Sequence, residues 1–456
     1  MFVSRSARAS LLSALIGGCL ALGCGDNKLL APGSCAEGVR FGDSSVGEQP
    51  SDALLQDRLA CSFDVGATTA ESLGADAPSA AAVSHVIVVM LENRSFDHYL
   101  SDLPAARVTD ADVAEPDVSN PTDHGTEERR FVPDTYCIGN HISHEWASAH
   151  LQLNNGQLNG FVAASGKDAM AYYEQRDLPV LYGLASQFAL SDRYFSSLLG
   201  PTWPNRMFLF AGTSCGYAEG SDTNPNITLK CGLKRDNIVK QLQTHGQSYK
   251  FYDQSGPASV AVGLGITGVP ASIAQFVKDA NDDALPAVSF VGANTGTLPS
   301  VLVGAPNDDH PAANVLLGEQ FIYDVVQTLV ASPAWKSSVL FITYDEHGGF
   351  YDHVRPPRAC PPTPGEVLQD HPFDQYGFRV PFIVVSPFAR RRFVSHADAD
   401  HTSIVRFIQH WQHLPALTGR DANAWPLLDM FDFEHPDLTS PDLGARPSPT
   451  SCGRGP

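Results

Sequence analysis

Positive charge is scarce in this chain: 30 Lys and Arg stand against 50 Asp and Glu, a formal net charge of -20. Such a surface repels a polyanion, which argues against a general nucleic-acid binder. No two cysteines have the CxxC spacing of a zinc knuckle, so a structural zinc site of that kind is disfavoured. After residue 23 no segment reads as membrane-spanning, and no internal repeat is found. With 456 residues, 43% of them apolar and 18% charged, the composition is globular and long enough for one large α/β domain or two smaller ones.

What is present begins with an export signal. Arg5 and Arg8 precede the apolar stretch Leu11 to Gly23, which is short for a bilayer span. Leu20-Ala21-Leu22-Gly23-Cys24 resembles a bacterial lipoprotein processing site with Cys24 as the lipidated residue. Ile16-Gly17-Gly18-Cys19 is an alternative of the same kind, and plain signal-peptidase cleavage is a third. Residues 1–24 are therefore expected to be a signal peptide and residues 25–82, rich in Gly, Ser, Ala and Asp without periodicity, a flexible spacer. The protein is expected at the cell envelope, tethered through an N-terminal lipid, with secretion as the alternative. Seven cysteines beyond Cys24 suit an oxidising compartment. The spacing favours a Cys215–Cys231 disulfide first and Cys35–Cys61 second.

The rest of the chain is organised around Ser338-Val339-Leu340-Phe341-Ile342-Thr343-Tyr344-Asp345-Glu346-His347-Gly348-Gly349. Its apolar run does not alternate, as suits a strand buried on both faces of a mostly parallel sheet. Ligands in open α/β sheets collect beyond the carboxyl ends of strands, where Asp345 and Glu346 fall as candidate metal ligands. A solvated turn is the plain alternative, since Asp and Gly are ordinary turn residues. A second such run, Ser84 to Leu91, ends in Glu92 and Asn93, although Asn93 and Ser95 could equally cap a helix.

Further stretches supply partners. His141, His144 and His150 lead into a helical segment, and spacing alone assigns none of them a role. Residues 178 to 199 read as a helix and its exit. In Gly200-Pro201-Thr202-Trp203-Pro204-Asn205-Arg206, Pro204 starts a helix well, so Thr202 lies at its N-terminus, either as a plain cap or facing an anionic group. Strands are expected over 246–253 and 287–292. Asp309-His310 stands before a helix with apolar positions from Val315 to Leu329, and Asp400-His401 starts another. The Pro- and Ser-rich tail, 436–456, reads as loosely held.

Hard carboxylates on a divalent cation, a threonine hydroxyl and histidines together suit displacement at phosphorus. The blocks Glu92-Asn93-Arg94-Ser95-Phe96-Asp97, His144-Glu145-Trp146, Gly200 to Arg206, Asp309-His310-Pro311, Tyr344 to Val354 and Asp400-His401-Thr402-Ser403 resemble, in order, a family of bacterial phosphoesterases. That family includes secreted phospholipases C and acid phosphatase A, within the alkaline phosphatase superfamily. The resemblance runs from about His85 to about Trp411 and implies an alkaline phosphatase-like α/β fold, helices on both sheet faces, for a catalytic domain over 83–435. It further implies ligation of a divalent metal ion by Glu92, Asn93, Thr202, Asp345 and Glu346, with Thr202 as nucleophile through a phosphothreonine. His144 and His310 would serve the phosphoryl or leaving group, and Asp309, Arg206 and His401 the substrate. Thr202 to Arg206 also looks like a sulfatase signature, but threonine cannot be oxidised to the aldehyde that such enzymes need. The substrate class implied is a phosphate ester, phospholipid included. Trp203, Phe350 and Tyr351 would suit a choline headgroup or simple packing. A tethered binding lipoprotein of the same fold that has lost turnover is the alternative function.

Overall fold

The computed structural model describes residues 52–140, 142–218, 236–254, 270–296, 304–362, 373–449 and 451–454. The proposed signal peptide, Cys24, Cys19, Cys35, Cys231 and His141 lie outside the described residues.

Among the described residues the strands are β1 (His85–Leu91), β2 (Ser119–Pro121), β3 (Glu127–Arg129), β4 (Ala189–Ser191), β5 (Tyr249–Asp253), β6 (Val288–Gly292), β7 (Ser338–Tyr344), β8 (Phe382–Val385) and β9 (Phe393–Ser395). Seven of them form one sheet in the order β5-β6-β1-β7-β8-β4-β9, and β2 pairs with β3 in a separate hairpin. In the large sheet only β8 runs against its neighbours. The sheet is thus mostly parallel, and the class is α/β as expected. Its two central strands are the unalternating runs: every residue of β7, and all of β1 but His85, is buried. They pair in register from His85 opposite Ser338 to Leu91 opposite Tyr344, so Glu92-Asn93 and Asp345-Glu346 leave the sheet side by side.

Helices pack onto this sheet with recognisable caps. Thr202–Ala211 begins at N-cap Pro201, Val315–Val330 at Asn314, whose Oδ1 accepts the Leu316 N–H, and His401–Gln412 at Asp400. The expected helix over 178–199 is shorter, Pro179–Ala185, and is followed by β4. A run as short as Phe188 to Ser191 carries too little periodicity to separate strand from helix. Asp309-His310 does not stand at a helix N-terminus: the helix starts at Val315, and Asp309 is an isolated left-handed residue with φ 71°.

The described parts of both flanks of the expected catalytic domain are bonded to it. Within the expected spacer, Leu55–Leu59 and Thr69–Leu73 are helices, the second with a Thr68/Glu71 capping box. Buried Arg58 donates to Asp52 and to the Ser72 carbonyl, and Cys61 is bonded to Cys360. This pairing overturns Cys35–Cys61; local spacing favoured a near partner, whereas the fold brings together cysteines 299 residues apart. Cys215 is disulfide-bonded. In the expected loose tail, Cys452 is bonded to Cys137, Arg454 pairs with Asp177 at 2.6 Å and Arg446 with Asp324 at 2.6 Å. No helix among the described residues is long and apolar enough to cross a membrane.

Candidate active site

The exits of β1 and β7 are locked together. The Asn93 N–H donates to Asp345 Oδ1 at 3.1 Å, and the Glu346 N–H donates to the same oxygen at 2.7 Å. Asn93 is held in the left-handed region, φ 64°, and Gly348 explains how. Gly348 has φ 66°, and a Cβ there would lie 2.1 Å from the Asn93 carbonyl oxygen. At Gly349, φ 82°, a Cβ would lie 2.6 Å from the Ser143 carbonyl oxygen. The glycine pair therefore lets the β7 exit pass between Asn93 and the loop that carries His144.

Thr202, the first residue of its helix, donates from Oγ1 to Asn93 Oδ1 at 3.2 Å. Asn205 pins the preceding loop by accepting the Leu198 N–H at 3.0 Å and donating to the Gly200 and Pro201 carbonyls at 2.9 and 3.1 Å. One turn along the helix from Thr202, Arg206 reaches back to two acids, with Nε 2.9 Å from Asp345 Oδ2 and Nη2 3.2 Å from Glu92 Oε1. On the other side of Asn93, its Nδ2 lies 3.1 Å from His144 Nε2. The exposed His310 ring meets His144 edge-on, with centroids 5.9 Å apart.

Charge in this site is unbalanced. Glu92, Asp308, Asp345 and Glu346 are all buried, and Arg206 pairs with two of them, Glu92 and Asp345. Burial raises the Glu92 carboxyl well above the usual range against the pull of Arg206. It pushes Glu346 up to about 8, with His144 opposing and Asp345 adding to the rise. Glu346 Oε1 and Asp308 Oδ2 are buried and have no hydrogen-bond partner among the described residues. A cluster of hard oxygens with buried free lone pairs and excess negative charge fits a divalent cation. The residues able to hold it are Glu346, Asp345, Asn93 and Thr202, with Glu92 and Asp308 behind them.

Two residues expected at the substrate stand elsewhere. Asp309 is buried, its Oδ2 accepting from the Tyr344 hydroxyl at 2.8 Å, and a Cβ on Gly318 would lie 2.0 Å from its Oδ1. Burial pushes its carboxyl up to about 7. His401 is also buried: Nε2 donates to the Asp345 carbonyl at 2.7 Å and Nδ1 accepts from the Tyr194 hydroxyl at 3.2 Å. Both are turned toward the sheet: His401 uses both ring nitrogens there, and Asp309 bonds through Oδ2 while its Oδ1 is left without a hydrogen-bond partner among the described residues. Phe350 is packed as well, stacked on His98 at 3.6 Å under the Arg94 guanidinium, and Tyr351 is buried against Phe161, so neither is open to a headgroup.

Asp308, which the sequence does not single out beside Asp309, is buried at the exit of β1. Its carbonyl accepts the Glu92 N–H at 2.7 Å, and burial pushes its carboxyl up to about 6. Its place next to Asp309 is the one signal of it in the sequence. A second group with ligand-like spacing, Asp97, Asp352 and His353, is already filled by a cation. Arg379 Nη2 lies 3.2 Å from Asp97 and Nε 2.8 Å from Asp352, while His353 bridges Asp97 and Asp112 at 2.6 and 2.9 Å. That group is an ion-pair network tying β1's exit to β8.

A parallel sheet whose adjacent strand ends present acids and an amide to a helix-terminal hydroxyl is the layout of an α/β phosphoric ester hydrolase. The phosphoesterase family profile matches residues 83–415, and the chain belongs to that family. It is 30% identical to phospholipase C B of Mycobacterium tuberculosis, over 81% of this chain and 82% of that protein. It is also 30% identical to non-specific phospholipase C1 of Arabidopsis thaliana, over 75% of this chain and 69% of that one. Among solved structures, an alkaline phosphatase superfamily protein from Vibrio parahaemolyticus matches 82% of this chain and 74% of its own at 10% identity, with a TM-score of 0.39.

Proposed function

We propose that this protein is a metal-dependent phospholipase C-type hydrolase in which Thr202 is the nucleophile. The observation that carries the reading is the Thr202 hydroxyl, 3.2 Å from Asn93 Oδ1, on the same Asn93 side chain that meets His144, whose Nε2 lies 3.9 Å from the unpartnered Glu346 Oε1. A divalent cation held by Asn93, Thr202, Asp345 and Glu346, with Glu92 nearby, would lower the pKa of the Thr202 hydroxyl and shield charge on the phosphoryl oxygens. The chain's own groups do the rest. Thr202 Oγ forms a bond to phosphorus as the ester oxygen departs, giving a phosphothreonine that water then hydrolyses. His144 and His310 are the protonatable groups at the rim, and one of them supplies the proton that the departing alkoxide needs. The free N–H groups at the start of the Thr202 helix and its positive dipole end favour the phosphoryl oxygens.

The named relatives support a phospholipid substrate, with soluble phosphate esters as the other candidates. Export with lipid anchoring at Cys24 is supported by the N-terminal pattern, and the Cys61–Cys360 and Cys137–Cys452 disulfides suit an oxidising compartment. The test is a panel of p-nitrophenyl phosphate, a choline phosphodiester and phosphatidylcholine vesicles, with and without chelator, on wild type and Thr202→Ala. Turnover that chelator and Thr202→Ala both abolish is expected. Full activity in Thr202→Ala, or no turnover of any ester with any divalent cation, sinks the reading.

A further inference from the structure

The loop of His310 is fastened to the C-terminal end of the described chain. Residues 304–314, which carry His310, include no helix or strand, so outside bonds fix their place. Ahead of His310, the Asp309 carbonyl accepts from Arg94 Nε at 2.9 Å. After it, Asn314 Nδ2 donates to the Ser451 carbonyl at 2.9 Å, and the Val315 N–H donates to the Tyr136 carbonyl at 3.1 Å. The next carbonyl of the tail, that of Cys452, accepts the Tyr136 N–H at 2.7 Å and Thr135 Oγ1 at 3.0 Å, and Cys452 is bonded to Cys137. Arg454 seats the end, donating to the Pro133 carbonyl at 2.7 Å and pairing with Asp177. Tail residues 451–454 thus hold residues 133–137 and Asn314 at once. Gly139, φ 101°, closes the circle: a Cβ there would lie 2.9 Å from Pro311 Cβ.

This arrangement reaches the His310 ring through Pro311. A carbonyl oxygen can only accept, so His310 Nδ1 donates to the Pro311 carbonyl, 2.6 Å away, and Nε2 is the nitrogen left to meet a departing oxygen. Pro311 in turn lies between Gly139 and Asn314, in a turn closed by the Ala313 N–H on the His310 carbonyl at 2.6 Å. We propose that the C-terminal segment 451–454 is a clamp that positions His310, with Asn314 and Cys452 as positioning residues that touch neither substrate nor reacting atoms. Opening the clamp on either side lets the Pro311 carbonyl shift, and the His310 ring turns with it. The inference rests on the place given above to His310 at the leaving group. A displacement of about 1 Å in such a group commonly costs about 100-fold in rate.

The test measures kcat of the full-length protein on p-nitrophenyl phosphate and on an alkyl phosphate, with amide hydrogen exchange across the His310 loop. Asn314→Asp keeps an oxygen to cap the following helix but puts an acceptor where the donor to Ser451 stood. It is expected to melt near wild type and to exchange faster from His310 to Val315. It should also lose about 10- to 100-fold more rate on the alkyl ester, whose departing oxygen must be protonated. Cys137→Ser with Cys452→Ser opens the other side and should give the same ester ratio at a lower melting temperature. His310→Ala sets the reference. A wild-type ester ratio in His310→Ala removes His310 from the leaving group and overturns this proposal with that role. A changed ratio in His310→Ala beside a wild-type ratio in Asn314→Asp overturns the clamp alone. Should either clamp variant fail to fold, the other decides in the same way. If wild type turns over neither ester, the function falls and exchange decides the clamp: wild-type protection from His310 to Val315 in Asn314→Asp overturns it.

Discussion

The backbone N–H of Asn93 is bonded to the side chain of Asp345 at 3.1 Å, across 252 residues of chain. Through this bond the exit of one central strand fixes the exit of the other, and Thr202, His144 and Arg206 are positioned relative to that joint. Tests of the site can therefore target the joint itself as well as the proposed chemistry.

Gly348→Ala attacks the joint without removing any polar group. A side chain at φ 66° costs about 1 kcal/mol or more, and its Cβ would meet the Asn93 carbonyl, so Asn93 must move. A misplacement of that size commonly costs about 100-fold in rate. Turnover should fall far more than the melting temperature does; a variant with wild-type kcat would show that Asn93 is not held by this contact.

Arg206→Met leaves Glu92 and Asp345 without their shared partner. Breaking a buried pair by removing one member costs about 3 kcal/mol, so the metal-free variant should unfold at markedly lower denaturant. Added divalent cation should recover part of that loss by mass action. Equal stabilisation of wild type and variant by the cation would separate Arg206 from the cation site.

His353 provides a pH signature. Burial alone would lower its pKa, but Asp97 and Asp112 outweigh burial and the opposing Arg379, raising it to about 10. A raised folded-state value means the folded protein holds the proton longer, so this stabilisation is complete below about pH 6.5 and is lost as pH rises toward 10. Asp97, held well below the usual carboxylate range despite burial by His353 and Arg379, stays charged throughout that window. Denaturation midpoints of wild type minus His353→Phe should therefore shrink steadily between pH 6.5 and 10. A flat difference would remove the ion pair from the stability of the fold.

Cys61→Ser tests whether the N-terminal segment belongs to the folded body. Losing a bond that spans 299 residues should cost about 2–5 kcal/mol, read as a lower melting temperature under non-reducing conditions. No change would mean that residues 52–82 are held by their helices and Arg58 alone.

Much of the site was legible because buried parallel strands read as continuous apolar runs and their carboxyl ends are where ligands gather. Val86 to Leu91 and Val339 to Tyr344 therefore pointed straight to Glu92, Asn93, Asp345 and Glu346. Pro204 located the helix start beside Thr202 for an equally local reason, its fixed φ. Roles were harder to read for side chains whose direction depends on packing. Asp309 and His401 have the right chemistry for substrate contact but turn into Tyr344, Gly318 and the Asp345 carbonyl. Asp308, whose carbonyl holds the Glu92 N–H, and Gln152, which bonds the Ser143 carbonyl beside His144, look in sequence like an ordinary acid and an ordinary helix-face amide.

Local covalent chemistry and hydrophobic patterning were enough, from the sequence alone, to determine the two central strands, the helix that starts at Thr202 and the oxygen-bearing residues at their ends. The phosphoesterase blocks are legible for the same reason, since each is a short stretch at one strand or helix terminus. Only the tertiary structure decided the pairing of β1 with β7, the bonds from Thr202 to Asn93 and from Gln152 to His347, and the partners of Cys61 and Cys137. These join groups 109 or more residues apart, the shortest separation being the 109 between Asn93 and Thr202. At that separation no local periodicity constrains the contact; burial of both faces of one sheet does.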